Sequence, residues 1–241
     1  MFGFFNSRSS LLESGLIRGA VDNHSHILYG LDDGVKKVEE SLQILDFLET
    51  AGLGTLWLTP HTMEDVPNTT EGLQARFQEL KAAYKGKINL KLSSEYMIDA
   101  LFVERLSKKD LLLHGGDLVL VETSTWSPPI DLWDILDTMF RAGYRPLLAH
   151  PERYRYMNEN DYVRLHDMGV VFQMNLPSIL GVYGEQTYQK AKYLLGKGWY
   201  SMVGSDCHRF RAIDGQYHSK ILKRETIKQL EPIMAGLEDG L

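Results

Sequence analysis

The chain has 241 residues, 44% hydrophobic and 24% charged, with 26 Lys and Arg against 32 Asp and Glu and a formal charge of −6. These proportions are those of a soluble globular protein and exclude a disordered, collagen-like or fibrous chain. An acidic balance with no basic tail gives binding to a nucleic-acid backbone little electrostatic support.

The opening residues 1–5 are broken at once by Asn6, Ser7 and Arg8. That run is too short for a signal-peptide core, and no later run approaches the ~20 apolar residues of a membrane span. Cys207, the one cysteine, cannot form an internal disulfide, which fits a reducing, cytoplasmic setting. Whether Phe2, Phe4 and Phe5 touch a membrane or a partner stays open. Strands are expected at residues 20–26, 55–60, 88–94, 117–123, 145–150, 170–175 and 199–205. Between them run helix-period stretches. Residues 38–51 place Val38, Leu42, Leu45 and Leu48 on one side, with Gly52 to stop the helix. Leu132, Ile135, Leu136, Met139 and Phe140 mark one apolar face, opening after Pro128-Pro129 and ending near Gly143. A third stretch covers 186–195 and closes at Gly196 and Gly198. Each helix leads into a strand, the βα rhythm of a parallel sheet, and seven repeats favour a barrel or a doubly wound sheet. No linker or composition break divides the chain. Residues 1–241 therefore read as one domain, with 1–18 an N-terminal extension that packs outside or stays mobile.

The ends of these strands collect metal-binding residue types. Asp22, His24 and His26 close the first, His61 the second, Glu95 the third and Glu122 the fourth. His150, Glu152 and Arg153 follow the fifth, and Asp206 and His208 the seventh; the sixth ends in Asn175, a poor ligand. In a β/α barrel all these ends face one rim, where the chemistry of such folds sits. Five of the eight histidines fall there, whereas His114 reads as a turn residue, His166 as the end of a polar helix face, and His218 as lying off the rim. Residues i and i+2 of a strand share a face, so His24 and His26 can hold one ion, and Asp206 and His208 repeat the spacing. Alone, His-x-His describes ordinary strand histidines equally well; among the other ligand types it points to a metal centre. Asp32-Asp33-Gly34 reads as a turn with an N-cap for the helix at Val38, and one of the two acids also reaches the rim.

Asp22-x-His24-x-His26, Gly30-Leu-Asp-Asp33-Gly34, Thr59-Pro-His61, Glu95, Glu122, Ala149-His-Pro-Glu-Arg153 and Ser205-Asp-Cys-His208 resemble the polymerase and histidinol phosphatase (PHP) superfamily. Within it, the chain is most similar to the bacterial protein-tyrosine phosphatases encoded with capsule and exopolysaccharide genes. The resemblance runs from about Val21 to His208, and residues 26–34, with Glu39-Glu40-Ser41 beyond, carry its most specific part. It implies a distorted seven-stranded (β/α)7 TIM-like barrel with three divalent ions, manganese, or iron or zinc as in some relatives. It also implies three ligand sets: His24, His26, Glu95 and Asp206; Glu95, Glu122 and His150; and Asp33, His61 and His208, with Asp32 competing for the place of Asp33. Two departures stand out. Ser93-Ser94 replaces the small residues usual before the bridging glutamate, and Arg209 and Arg211 both lie where relatives carry a further arginine.

Three divalent ions outweigh four carboxylates and a bridging hydroxide by one charge and so attract a phosphate dianion; two ions would repel it. Metal coordination brings the pKa of water towards ~7, and the hydroxide attacks phosphorus in line. Arg153 is placed to clamp a phosphoryl oxygen, the bland alternative being an ion pair with Glu152. Asp33 or His61 can assist departure of a phenolate, whose conjugate acid has a pKa of ~10. A cysteine phosphatase needs Cys-x5-Arg, but Ile213 stands at that position. An amidohydrolase lacks its bridging lysine, since Lys91 lies four residues before Glu95. Tyr154, Tyr156 and Tyr162 either contact a phosphotyrosine ring or serve packing. The expected function is a metal-dependent protein-tyrosine phosphatase acting on a tyrosine kinase that controls polysaccharide export. The alternatives are a histidinol-phosphatase-like esterase for small molecules and a metal-stabilised module that binds a kinase tail without catalysis.

Overall fold

Apolar runs of four or five residues, rich in Leu and Val and bounded by turns, are what a sheet buried on both faces requires. The computed structural model describes residues 8–235. Its strands are β1 (Val21–Asp22), β2 (Thr55–Leu58), β3 (His61–Thr62), β4 (Asn89–Leu92), β5 (Glu95–Met97), β6 (Leu118–Glu122), β7 (Arg145–Ala149), β8 (Val171–Asn175) and β9 (Tyr200–Gly204). All pair in parallel, in the orders β1-β2-β4 and β3-β5-β6-β7-β8-β9. Two expected strands, 55–60 and 88–94, are thus each followed, past a step, by a further short strand, β3 and β5. Pro60 has no N–H to offer a ladder, and the chain steps at Thr59-Pro60 and at Ser93-Ser94. Across the step Ser93 N donates to Leu58 O at 2.9 Å and Glu95 N to Pro60 O at 3.1 Å. The serine hydroxyls stitch the same break, Ser94 Oγ donating to Pro60 O at 2.7 Å and Ser93 Oγ to Leu112 O at 3.2 Å. The first strand is shorter than expected, but its continuation pairs with the last: Ser25 bridges Cys207, and His26 N donates to Cys207 O at 2.9 Å. That seam closes the ring.

The helices are α1 (Leu11–Ser14), α2 (Val38–Ala51), α3 (Thr70–Ala83), α4 (Ala100–Lys108), α5 (Leu132–Arg141), α6 (Glu159–Asp167), α7 (Leu176–Ile179), α8 (Glu185–Lys197), α9 (Phe210–His218) and α10 (Arg224–Met234), with a 3-10 turn at Pro151–Arg153. α2 has the expected bounds and ends on Gly52 at φ 94°, a conformation that costs glycine little. It buries Ile44, Leu45 and Leu48, while Val38 and Leu42 are only half-buried. Its N-cap is Lys37, not an aspartate; Asp32 caps its own turn instead, accepting from Gly34 N at 2.8 Å. α3 escapes a periodicity reading because only Leu73 and Leu80 of its residues are buried. Of the expected N-terminal extension, residues 8–18 pack through buried Leu11 and Ile17 and through a Ser9–Leu222 bridge; Phe2, Phe4 and Phe5 lie outside the described residues.

Strand alternation sorts the core. Leu118, Leu120, Leu147, Ala149 and Met202 face inward together, while Val119, Val121, Leu148 and Phe172 pack outward beneath the helices. The interior is therefore filled below the rim, which leaves the strand ends as the place for polar side chains. Among the described residues no helix is long and apolar enough to cross a membrane.

Candidate metal centre

The fold gathers the nine expected ligands at one rim. His24, His26, Asp33, His61, Glu95, Glu122, His150, Asp206 and His208 each belong to a group whose donor atoms lie within 4.8 Å of one another. Glu95, at the start of β5, stands at the centre. Its Oε2 lies 3.1 Å from His24 Nε2, 3.2 Å from His26 Nε2 and 3.1 Å from His61 Nδ1, while Oε1 is 3.0 Å from His150 Nε2. The residue is fully buried, and Oε2 accepts no hydrogen bond.

The tautomers of the first pair follow from their neighbours. Gln173 Nε2 donates to the Met174 carbonyl, so Gln173 Oε1, 2.9 Å from His24 Nδ1, takes the proton of that ring. Asp32 Oδ2 takes the proton of His26 Nδ1 at 2.7 Å. As neutral rings, both then point bare Nε2 lone pairs at each other across 3.0 Å. Such a contact is repulsive unless a cation sits against it, and ligand bonds of about 2.1 Å place adjacent ligands ~3.0–3.4 Å apart. Asp206 Oδ1 joins at 3.4 Å from His26 Nε2 and 3.7 Å from His24 Nε2. The donor set fits a divalent cation.

The carboxylates already draw protons onto the rings. Burial and the charge of His61 pull the His26 pKa down, but the neighbouring carboxylates of Asp32 and Glu95 prevail and raise it to about 9. Burial also opposes protonation of His61, and Glu95 and Glu122 raise it to about 12. Burial works against ionised Glu95, yet the charges of His24 and His61 hold it well below the usual carboxylate range. Metal and protons thus compete for the same atoms.

The grouping departs from the sets the resemblance implies: His24 also groups with Glu95 and His150, His26 with Asp33, His61 and His208, and His61 with Glu95 and Glu122. His61 Nδ1 lies 3.1 Å from both Glu95 Oε2 and Glu122 Oε1, closer to Glu122 than is His150 Nε2 at 3.8 Å. Its Nε2 is 3.6 Å from Asp33 Oδ1, which is 3.3 Å from His208 Nε2. His61 therefore joins two of the sets. The adjacent acids are placed differently: Asp32 is buried against His26 and also accepts from His61 N at 3.0 Å, whereas the Asp33 side chain is 74% exposed over His61 and His208.

Local backbone makes this possible. His150 (φ 37°) and Asp206 (φ 51°) are two of the three non-glycine residues at positive φ among the described residues. This left-handed conformation costs a side-chain-bearing residue about 1–3 kcal/mol and recurs at functional sites. Asp206 and His208 thus reach the rim through a left-handed turn beyond β9, not through the strand alternation expected of them. Gly204 is needed for close approach, since a Cβ there would lie 2.3 Å from His24 Cβ.

Arg153 Nη1 donates to Asp206 Oδ2 at 2.8 Å, and Asn175 Nδ2 donates to the same oxygen at 2.7 Å. Asp206 thus keeps Oδ1 for the histidines. The alternative partner, Glu152, faces inward, accepting from Asn175 N and Tyr200 OH, each at 2.9 Å. Three supporting residues carried no legible signal in the sequence: Gln173, Asn175 and Tyr183, whose ring lies under the Arg153 guanidinium at 4.6 Å. Only their positions at or after the end of the sixth strand hinted at them. Tyr154 and Tyr162 are buried and donate to Ala149 O and Pro151 O, and Tyr156 bonds Thr123, so all three serve packing. His114 stacks on Trp57 at 4.0 Å, and burial lowers its pKa to about 3. His166 stacks on Trp199, and His218 bonds Asp214 O at the end of α9, away from the cluster. Arg209 and Arg211 are both exposed. Burial pushes the Cys207 thiol up, which removes it as a nucleophile.

Residues 20–222 match the family described as capsular polysaccharide synthesis, CpsB/CapC. The chain belongs to this family. It is 30% identical over 208 residues to the tyrosine-protein phosphatase CpsB of Streptococcus pneumoniae, covering 78% of this chain and 82% of that protein. To the tyrosine-protein phosphatase YwqE of Bacillus subtilis it is 27% identical over 198 residues, covering 79% and 78%. Crystal structures of YwqE and CpsB, described as unique metal-dependent tyrosine phosphatases, match with a TM-score of 0.72 at 22% identity, over 90% of this chain and 96% of that chain. The phosphotriesterase homology protein of Escherichia coli matches with a TM-score of 0.52 at 14% identity, over 89% and 91%. These likenesses place the CpsB/CapC chain among TIM-barrel-like α/β folds with parallel sheets.

Proposed function

We propose that this chain is a metal-dependent protein-tyrosine phosphatase holding three divalent ions, manganese first among them. Its substrate is a phosphotyrosine protein, a bacterial tyrosine kinase that controls capsular or exopolysaccharide synthesis, and it works in the cytoplasm. One observation carries the reading: a buried carboxylate oxygen, Glu95 Oε2, accepts no hydrogen bond while three imidazole nitrogens lie within 3.2 Å. The activity named for the CpsB and YwqE relatives supports it.

His24, His26, Glu95 and Asp206 would hold one ion. Glu95, Glu122 and His150, with His61 beside them, would hold a second, and Asp33, His61 and His208 a third. Bound there, divalent ions supply Lewis acidity towards phosphoryl oxygens and bring the pKa of water towards ~7. The chain itself binds and orients. Arg153, tied through Nη1 to Asp206, keeps the rest of its planar fork for a phosphoryl oxygen. Asp33 and the adjacent His61 stand where a leaving phenolate takes up its proton, a modest demand for a conjugate acid of pKa ~10. The rim is open: Arg153 and His208 are 27% and 28% exposed. That openness supports a protein substrate over a small ester that fills a closed pocket.

The test is phosphate release from a phosphotyrosine peptide by chelated protein and by protein reloaded with manganese, iron or zinc. Release should require metal and fall at least about 100-fold in His150→Ala. Much faster hydrolysis of alkyl phosphates would favour the small-molecule esterase. Equal binding of phosphorylated and unphosphorylated tails with no release would favour the binding module.

A further inference from the structure

Two aromatic side chains stand exposed on the arc of rim above β6, β7 and β8. Trp126, in the loop after β6, is 68% exposed; Tyr183, in the loop after α7, is 39% exposed. β7 lies between β6 and β8 in the sheet, and the segment that follows it lays one guanidinium on each ring. Arg153 lies 4.6 Å from the centre of the Tyr183 ring, and Arg155 lies 3.8 Å from that of Trp126. Arg155 N also donates to Thr125 O at 2.8 Å, pinning its segment to the Trp126 loop.

The two arginines differ in charge balance. Arg153 is paired with Asp206. Arg155 is exposed, and its guanidinium pairs with no carboxylate among the described residues. Its face rests on indole, which holds the fork in place and leaves the N–H edges free, the arrangement that suits a carboxylate on an apolar stem. Ile130, 99% exposed on the same loop, extends the apolar side. On a chain of net charge −6, such a local cation is what lets an acidic segment approach this rim.

We infer that Trp126 and Arg155 form a subsite for an acidic residue flanking the phosphotyrosine, so that the preferred substrate is an acidic phosphotyrosine peptide. This rests on the phosphatase reading. Arg153, the phosphoryl clamp, and Arg155 are two residues apart, so their Cα atoms are separated by at most roughly 7 Å. About two extended residues cover that distance. The acidic residue therefore lies within about two positions of the phosphotyrosine.

The experiment measures kcat/KM of the metal-loaded full chain on free phosphotyrosine, on a peptide with Glu at the flanking positions, and on the same peptide with Gln. Wild type should prefer the Glu peptide about two- to fivefold, a margin that shrinks with added salt. Arg155→Ala should bring the ratio close to one, through KM rather than kcat. Trp126→Ala should weaken both peptides about fivefold relative to free phosphotyrosine. Arg141→Ala, which removes the same charge from the outer side of α5, should leave the ratio unchanged. Equal use of the two peptides by wild type, or a ratio preserved in Arg155→Ala, overturns the subsite while the phosphatase reading stands. A uniform loss on all three substrates in Arg155→Ala also overturns it. No release from any substrate overturns both.

Discussion

Asp32 Oδ2 accepts the Nδ1 proton of His26 at 2.7 Å, so a fully buried carboxylate sets which nitrogen of a fully buried imidazole faces Glu95. Carboxylates in this position fix the ring and raise its basicity as a ligand, and their loss costs 10- to 100-fold in metal affinity or activity.

Asp32→Asn is therefore expected to lower metal affinity or activity by about 10- to 100-fold with the fold retained. Metal titration followed by calorimetry, with circular dichroism as a check on folding, measures it. Wild-type affinity in the variant would remove Asp32 from the centre.

The same pair sets a pH dependence in metal-free protein. His26 is raised from 6.5 to about 9, so its contribution is full below about 6.5 and is lost as pH rises through about 9. Asp32 is lowered to about 2: burial raises it, but the hydrogen bonds and charges of His26 and His61 together prevail. Its contribution is present above 3.8 and lost as pH falls through about 2. Chelated protein should then lose Tm between about pH 7 and 9, where a bound cation takes over from the protons. The Tm gap between loaded and chelated protein should widen over that range; a gap that narrows contradicts the competition.

Gly204→Ala inserts a methyl 2.3 Å from His24 Cβ and 2.7 Å from Gln173 Nε2. The expected cost is about 1–3 kcal/mol of stability, with weaker metal binding because both neighbours orient the first histidine. Urea unfolding and metal content, read on the same preparation, check the two effects together. An unchanged midpoint would show that β9 has room to move.

Arg153→Ala should lower kcat/KM for phosphotyrosine about 100- to 1,000-fold, and Arg153→Lys should not restore it, because an ammonium cannot reproduce the fork. Steady-state kinetics with metal content held equal decides the matter. A lysine variant near wild type would reduce Arg153 to a charge that steadies Asp206.

Most of the centre is legible in the chain because its donors sit where a βα rhythm ends its strands. His61, Glu95, Glu122 and His150 needed only the expected ends of the second to fifth strands. Asp32 and Asp33 could not be separated that way, because adjacent residues share a strand end and part only when one is buried against His26. The strands beyond the steps at Thr59-Pro60 and Ser93-Ser94 escaped because each is only two or three residues long and begins on a polar side chain. Lys37 replaced the expected aspartate cap because the helix starts at Val38, four residues too late for Asp33 to reach its first turn. Trp126 and Arg155 lie in loops without periodicity, so nothing but their contact reveals them.

By itself, the sequence determined the parallel α/β architecture and marked nine candidate donors that the fold brings together. Hydrophobic period dictates the elements, and strand direction sends their ends to one rim. Tertiary structure alone decided which atom of each donor faces inward. That choice rests on partners far apart in the chain, Gln173 for His24 and Arg153 and Asn175 for Asp206. A ring or carboxylate takes its orientation from the hydrogen bonds that reach it, and those exist only once the strands have closed.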